Sequence, residues 1–239
     1  MPALARAFVS ATLFTRALAL TLVTATGALA APLDDSVLPP DQYTSQKART
    51  LGQKYATALH DLNAGIRHCL PWLSVHKESI GFFRPKHLDP AKDDRYLSLR
   101  IYVEQEISPE FASLRMEGRA SAMFSRYVGS LLQRMTQHAE IVADTLLDGF
   151  TVIVDWRKPT SQPLGRPVRE TIAVFADRPT VAGYVAGRIS VSDLAARVAV
   201  FGFDGETALG RLAIQGWEDN FLKTSQIANH SGAPGVACR

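Results

Sequence analysis

The chain has 239 residues, 26 Lys and Arg against 23 Asp and Glu, 46% hydrophobic residues, and only two cysteines. That composition excludes a disordered, collagen-like or disulfide-dense small domain, and no run of like charge offers the footprint of a nucleic-acid binder. Two of the basic residues, Arg6 and Arg16, fall in the first 30 positions, which hold no acid, so the remainder is close to neutral.

Those 30 positions join an arginine-bearing start to an apolar run from Ala17 to Val23 and end in Ala28-Leu29-Ala30. This is the three-part pattern of a secretory signal peptide, with cleavage expected after Ala30 and export to the periplasm or outside the cell. The apolar run is shorter than the roughly 20 residues a spanning helix needs, so no transmembrane segment is expected after cleavage. Cutting 30 residues from 239 leaves 209, enough for one domain with a sizeable core. Residues 31–43, APLDDSVLPPDQY, read as a proline-rich leader arm. The domain is expected over 44–218 and a loosely ordered tail over 219–239.

From Thr44 to His68, the residues Leu51, Tyr55, Leu59, Leu62 and Ile66 recur at three and four, which predicts one amphipathic helix ended by Pro71. SIGFFRP and RYLSLRIYVEQ follow, separated by the polar loop KHLDPAKDD; alternation in the second run predicts a strand buried on one face and a hairpin. Ser108-Pro109-Glu110 opens a predicted long helix reaching Met135, and a shorter one over 139–147 is expected to stop at Gly149. GFTVIVDWRK and RPVRETIAVFA predict a second hairpin. Two short helices follow, over 180–188 and 190–197, the second with the capping-box spacing Ser190 to Asp193. RVAVFGF, Asp204-Gly205 and ETALGRLAI predict a third hairpin. Hairpins interleaved with helices define an α+β class: two layers, a mainly antiparallel sheet, and helices packed on one face.

Candidate chemistry is sparse. Ser74-Val75-His76-Lys77 fits the S-x-x-K spacing of a serine nucleophile activated by lysine, but Ser74 leads toward a strand rather than opening a helix. Cys69 stands at a helix C-terminus, which favours its neutral thiol; as one of an even number of cysteines in an exported chain it either pairs with Cys238 or stays apart from it. Glu170 shares a strand face with Val152, Val154, Trp156, Val168 and Ile172 if Asp155 lies opposite Arg169. It is then an acid or ligand anchor with a perturbed pKa, or, the preferred reading, a rim residue that reaches solvent or pairs with an arginine. Tyr96, Arg100 and Tyr102, with Arg84, are expected on the outward face of the first hairpin, as a stacking surface for a ligand or as ordinary cross-strand pairs. The six histidines show no metal-ligand spacing, so neither metal nor cofactor is expected.

These readings favour an exported, non-enzymatic protein that binds a small molecule, a glycan or a partner protein of the envelope. The alternatives are an exported hydrolase using Glu170, or Ser74 with Lys77, and an envelope assembly or structural factor.

Overall fold

A computed structural model describes residues 36–104, 108–159 and 168–220. The signal-peptide reading falls outside the described residues. Among those described, no helix is long and apolar enough to cross a membrane.

The stripe Leu51, Tyr55, Leu59, Leu62 and Ile66 is buried as its spacing requires. It is carried by two helices, α1 (Gln46–Lys54) and α2 (Ala56–Cys69), because the backbone leaves helical geometry at Tyr55, with φ −108° and ψ 16°. There the Tyr55 hydroxyl reaches Asp144 Oδ2 at 2.8 Å, a tertiary contact that local periodicity cannot report. The domain also begins before Thr44. Val37 bridges Ile80, Ile80 N donates to the Ser36 carbonyl at 2.9 Å, and Tyr43 is buried, so the described part of the leader arm is packed into the body.

Among the described residues the sheet has seven strands: β1 (Leu73–Val75), β2 (Gly81–Phe83), β3 (Tyr96–Val103), β4 (Gly149–Arg157), β5 (Arg169–Asp177), β6 (Ala199–Asp204) and β7 (Thr207–Arg211). Their order is β1-β3-β4-β5-β6-β7, with β2 pairing β3 alongside β1, so β1 and β2 share one edge. The three expected hairpins are present as the antiparallel pairs β2/β3, β4/β5 and β6/β7. Gly205 takes the positive φ of 59° that the last turn requires. β3 and β4 are parallel, because the helical segment between them crosses over the sheet before the chain re-enters it. The fold is thus α+β with a mostly antiparallel sheet.

That crossover is segmented where one long helix is expected. Ser108 caps α3 (Pro109–Ser113), accepting from Phe111 N at 3.2 Å, but Leu114 is extended and α4 (Met116–Met123) starts afresh. Arg119 bonds the Leu114 carbonyl, occupying an acceptor that a continuous helix would use internally. A π-helical turn over Phe124–Val128 then leads into α5 (Gly129–Met135). α6 (Ala139–Ala143) stops before the expected Leu147, and Gly149 is the first residue of β4 rather than a helix cap. A Cβ there would lie 2.4 Å from the Ala176 carbonyl and 2.5 Å from the Tyr96 ring, so close packing is what demands glycine. α7 (Arg178–Val185) starts two residues before and ends three before its expected span, α8 (Val191–Arg197) follows its own within one residue, and the Ser190/Asp193 capping box forms.

One face of the sheet, carrying Leu97, Leu99, Ile101, Phe150, Val152, Val154, Ile172 and Val174, packs with the helices into a single core. The last strand is shorter than its sequence pattern. After Arg211 the chain crosses α4 and the π turn in extended form, with Gln215 N donating to Ser121 Oγ at 3.0 Å and Trp217 N to Ser125 Oγ at 3.1 Å.

Candidate functional site

The second face of the sheet is the one the helices leave alone, and cross-strand registers assign its residues. Arg100, Ile153, Ala173, Phe201 and Arg211 form one row across β3, β4, β5, β6 and β7. On one side of it run Ser98, Thr151, Phe175 and Ala199; on the other, Tyr102, Asp155, Thr171 and Phe203. Side chains in such rows stand about 5 Å apart, so the middle of this face is an apolar floor between polar flanks.

The segment after β2 turns over that floor. Phe83, Arg84, Pro85, Lys86 and His87 form the opposite wall of a cleft of about 580 Å³, within the roughly 300–1,000 Å³ typical of small-molecule sites. His87 packs edge-on against Phe175, centroids 4.4 Å apart, and lies 5.0 Å from the Phe201 ring, which meets Phe175 in turn at 5.9 Å. Burial, with the Arg211 charge nearby, lowers the His87 pKa below its ordinary value, so the ring is neutral at neutral pH and packs as an aromatic.

At the β3 side, the fully buried Asp155 is a hub. Arg100 grips it in bidentate fashion, Nε to Oδ2 at 2.7 Å and Nη2 to Oδ1 at 3.1 Å, and Thr171 Oγ1 donates to Oδ1 at 2.5 Å. His76 Nε2 stands 2.9 Å from Oδ2. Burial alone would raise the Asp155 pKa; the groups from His76, Arg100 and Thr171 outweigh it and hold the carboxyl at about 2. The hub fixes the Arg100 side chain along the cleft wall while leaving it 43% exposed.

Glu170 lies on the helix-covered face, as its alternation predicts, and is only 2% exposed. Arg119 donates to both of its oxygens, Nε to Oε2 at 2.7 Å and Nη2 to Oε1 at 2.5 Å, and Trp156 Nε1 donates to Oε2 at 2.9 Å. The arginine-paired reading is the one observed. Glu170 faces away from the cleft, and the pairing register differs by two residues from expectation: Asp155 opposes Thr171, and Arg157 opposes Arg169. A slip of two keeps every side chain on its face, so the face assignment survives the wrong register.

Ser74 and Lys77 each contact a carboxylate. Ser74 lies in β1 with its hydroxyl bonded to Glu104, and the Lys77 ammonium lies 3.8 Å from Glu78. Of the four surface candidates, Arg84 and Arg100 line the cleft, whereas Tyr96 is buried against Gly149 and the Tyr102 ring is covered by Arg169, 4.4 Å from its centroid. Cys69 packs against the core at the end of α2 and is not a free thiol; Cys238 lies outside the described residues. Among the described residues no cluster of His, Cys, Asp and Glu is arranged to hold a metal.

Sequence reasoning missed the aromatic wall of His87, Phe175, Phe201 and Phe203, and the Asp155 hub. A signal for the first exists in Ile172-Ala173-Val174-Phe175 and Val200-Phe201, where apolar residues occupy both alternation phases and so mark strands covered on both faces. No protein-family model, curated protein or solved structure matches the chain.

Proposed function

We propose that this is an exported, non-enzymatic binding protein that holds a small molecule in the cleft between the outward sheet face and residues 83–87. The observation that carries the reading is a concave apolar site, about 580 Å³, on a sheet face that the helices do not cover. Phe83, Phe175, Phe201 and Phe203 with Ile153 and Ala173 supply its apolar surface, and Ser98, Arg100 and Thr171 add a few polar groups, the composition of a site that binds by burial and orients by a few hydrogen bonds. The groups that a hydrolase reading needs are committed elsewhere: Glu170 to Arg119, Ser74 to Glu104. Export is supported by the pattern of the first 30 residues, and a Cys69–Cys238 disulfide belongs to the same proposal.

Native mass spectrometry of the protein from its own host tests this reading. The expected spectrum shows a chain beginning near Ala31, lighter by two hydrogens than its reduced form, and a small molecule released on denaturation. Ala173→Phe, which fills the cleft floor, is expected to abolish the released species. A ligand retained by that folded variant would place binding elsewhere.

A further inference from the structure

The charge on the cleft is one-sided. Its lining includes Arg84, Lys86 and Arg100, and no aspartate or glutamate. Arg84 donates from Nη1 to the Pro90 carbonyl at 2.6 Å, which positions its guanidinium without neutralising it. Asp155, the nearest carboxylate in the rows, is fully buried beneath Arg100 and already saturated by its three partners. Arg211 stands at the far end of the row that begins at Arg100, outside the cleft lining, and adds positive charge on the same sheet face. Cationic walls around a partly desolvated apolar floor favour a ligand carrying negative charge, because the field is focused where water is displaced.

Resting on the reading that this cleft is a binding site, we infer that its ligand is a free organic oxyanion: a small molecule with a flat apolar body and a carboxylate, sulfonate or phosphate group. The body lies on Ala173 and Ile153, edged by the Phe175, Phe201 and His87 rings. The oxyanion meets Arg84 and Lys86, with the remaining Arg100 donors across the cleft on the sheet face. Arginine is suited to this role since its fork donates to two oxygens at once. A neutral ligand with the same body would gain the burial and lose the charge-assisted bonds.

Two fluorescent probes that share one ring system separate the contributions: anilinonaphthalenesulfonate, an anion, and N-phenylnaphthylamine, its neutral counterpart. Titrated into the mature protein, the sulfonate is expected to bind on the order of tenfold more tightly, the size of one charge-assisted hydrogen bond. The double variant Arg84→Gln/Lys86→Gln changes two exposed side chains and is expected to erase the preference while leaving the affinity for the neutral probe unchanged. Ala173→Phe is expected to block both probes; should it fail to fold, Phe201→Ser, at a partly exposed ring, serves the same purpose. Equal affinity for the two probes in the wild type, with both still blocked by Ala173→Phe, overturns the anion inference and leaves the cleft intact as a site. Probe binding that neither cleft variant weakens overturns both.

Discussion

Glu170→Ala is expected to cost 3–5 kcal/mol of stability, the range for breaking a buried ion pair by removing one partner. The carboxylate is acceptor for the Arg119 guanidinium, whose side chain is 12% exposed, and for the indole of the fully buried Trp156. Truncation strands a cation and an N–H donor together, and an uncompensated buried charge costs more than the pair is worth. In a domain of this size each kcal/mol moves the midpoint by about 2–4 °C, so the melting temperature should fall by about 10 °C. The double variant Arg119→Met/Glu170→Leu removes both charges and is expected to recover most of the loss. Thermal unfolding of the three proteins measures the coupling. A single-variant loss below about 1 kcal/mol, typical of exposed pairs, would mean that Arg119 reaches solvent and that the pair does not pin the helical crossover to the sheet.

Asp155 predicts an acid-side dependence. Its folded pKa of about 2 lies below the ordinary carboxyl value near 3.8, so the unfolded state binds the proton more readily. The hub therefore stabilises the fold fully above about pH 4, and the contribution is lost as pH falls through about 2. A shift of this size corresponds to on the order of 2 kcal/mol. Asp155→Asn should be less stable than the wild type by about that amount at neutral pH, and the two denaturation curves should converge between about pH 4 and 2. A gap that stays constant through this window would show that the carboxylate charge is not what its partners stabilise. The same substitution loosens Arg100, so cleft affinity for an anion should change with it, whereas Glu170→Ala acts on the opposite face and should spare it.

Much of the fold could be read from alternation and caps. The strand faces, the turn at Gly205, the Ser190 capping box and the burial of Glu170 among apolar neighbours each follow from residues close in sequence. What escaped depends on contacts far along the chain. Nothing local at Tyr55 announces the break that Asp144, 89 residues away, accompanies, and nothing at Leu114 announces an arginine bonded across to β5. The register of β4 against β5 was wrong by two because alternation fixes parity and leaves even slips free. The cleft was hidden for a different reason. Its roof, including Lys86 and His87, lies in a polar stretch without periodicity, and its floor becomes a site only when β3, β4, β5 and β6 bring Arg100, Ile153, Ala173 and Phe201 into one row.

The claim on which the functional account stands is that the outward sheet face, and not the helix-covered one, receives the ligand. An amide proton–nitrogen correlation spectrum of the mature protein, recorded while N-phenylnaphthylamine is added, tests it residue by residue. The account predicts shifts centred on Ser98, Ile153, Ala173, Phe201 and His87, with the amides of α2, α4 and α5 unmoved. Shifts centred on those helices, with the row from Arg100 to Arg211 silent, would contradict it.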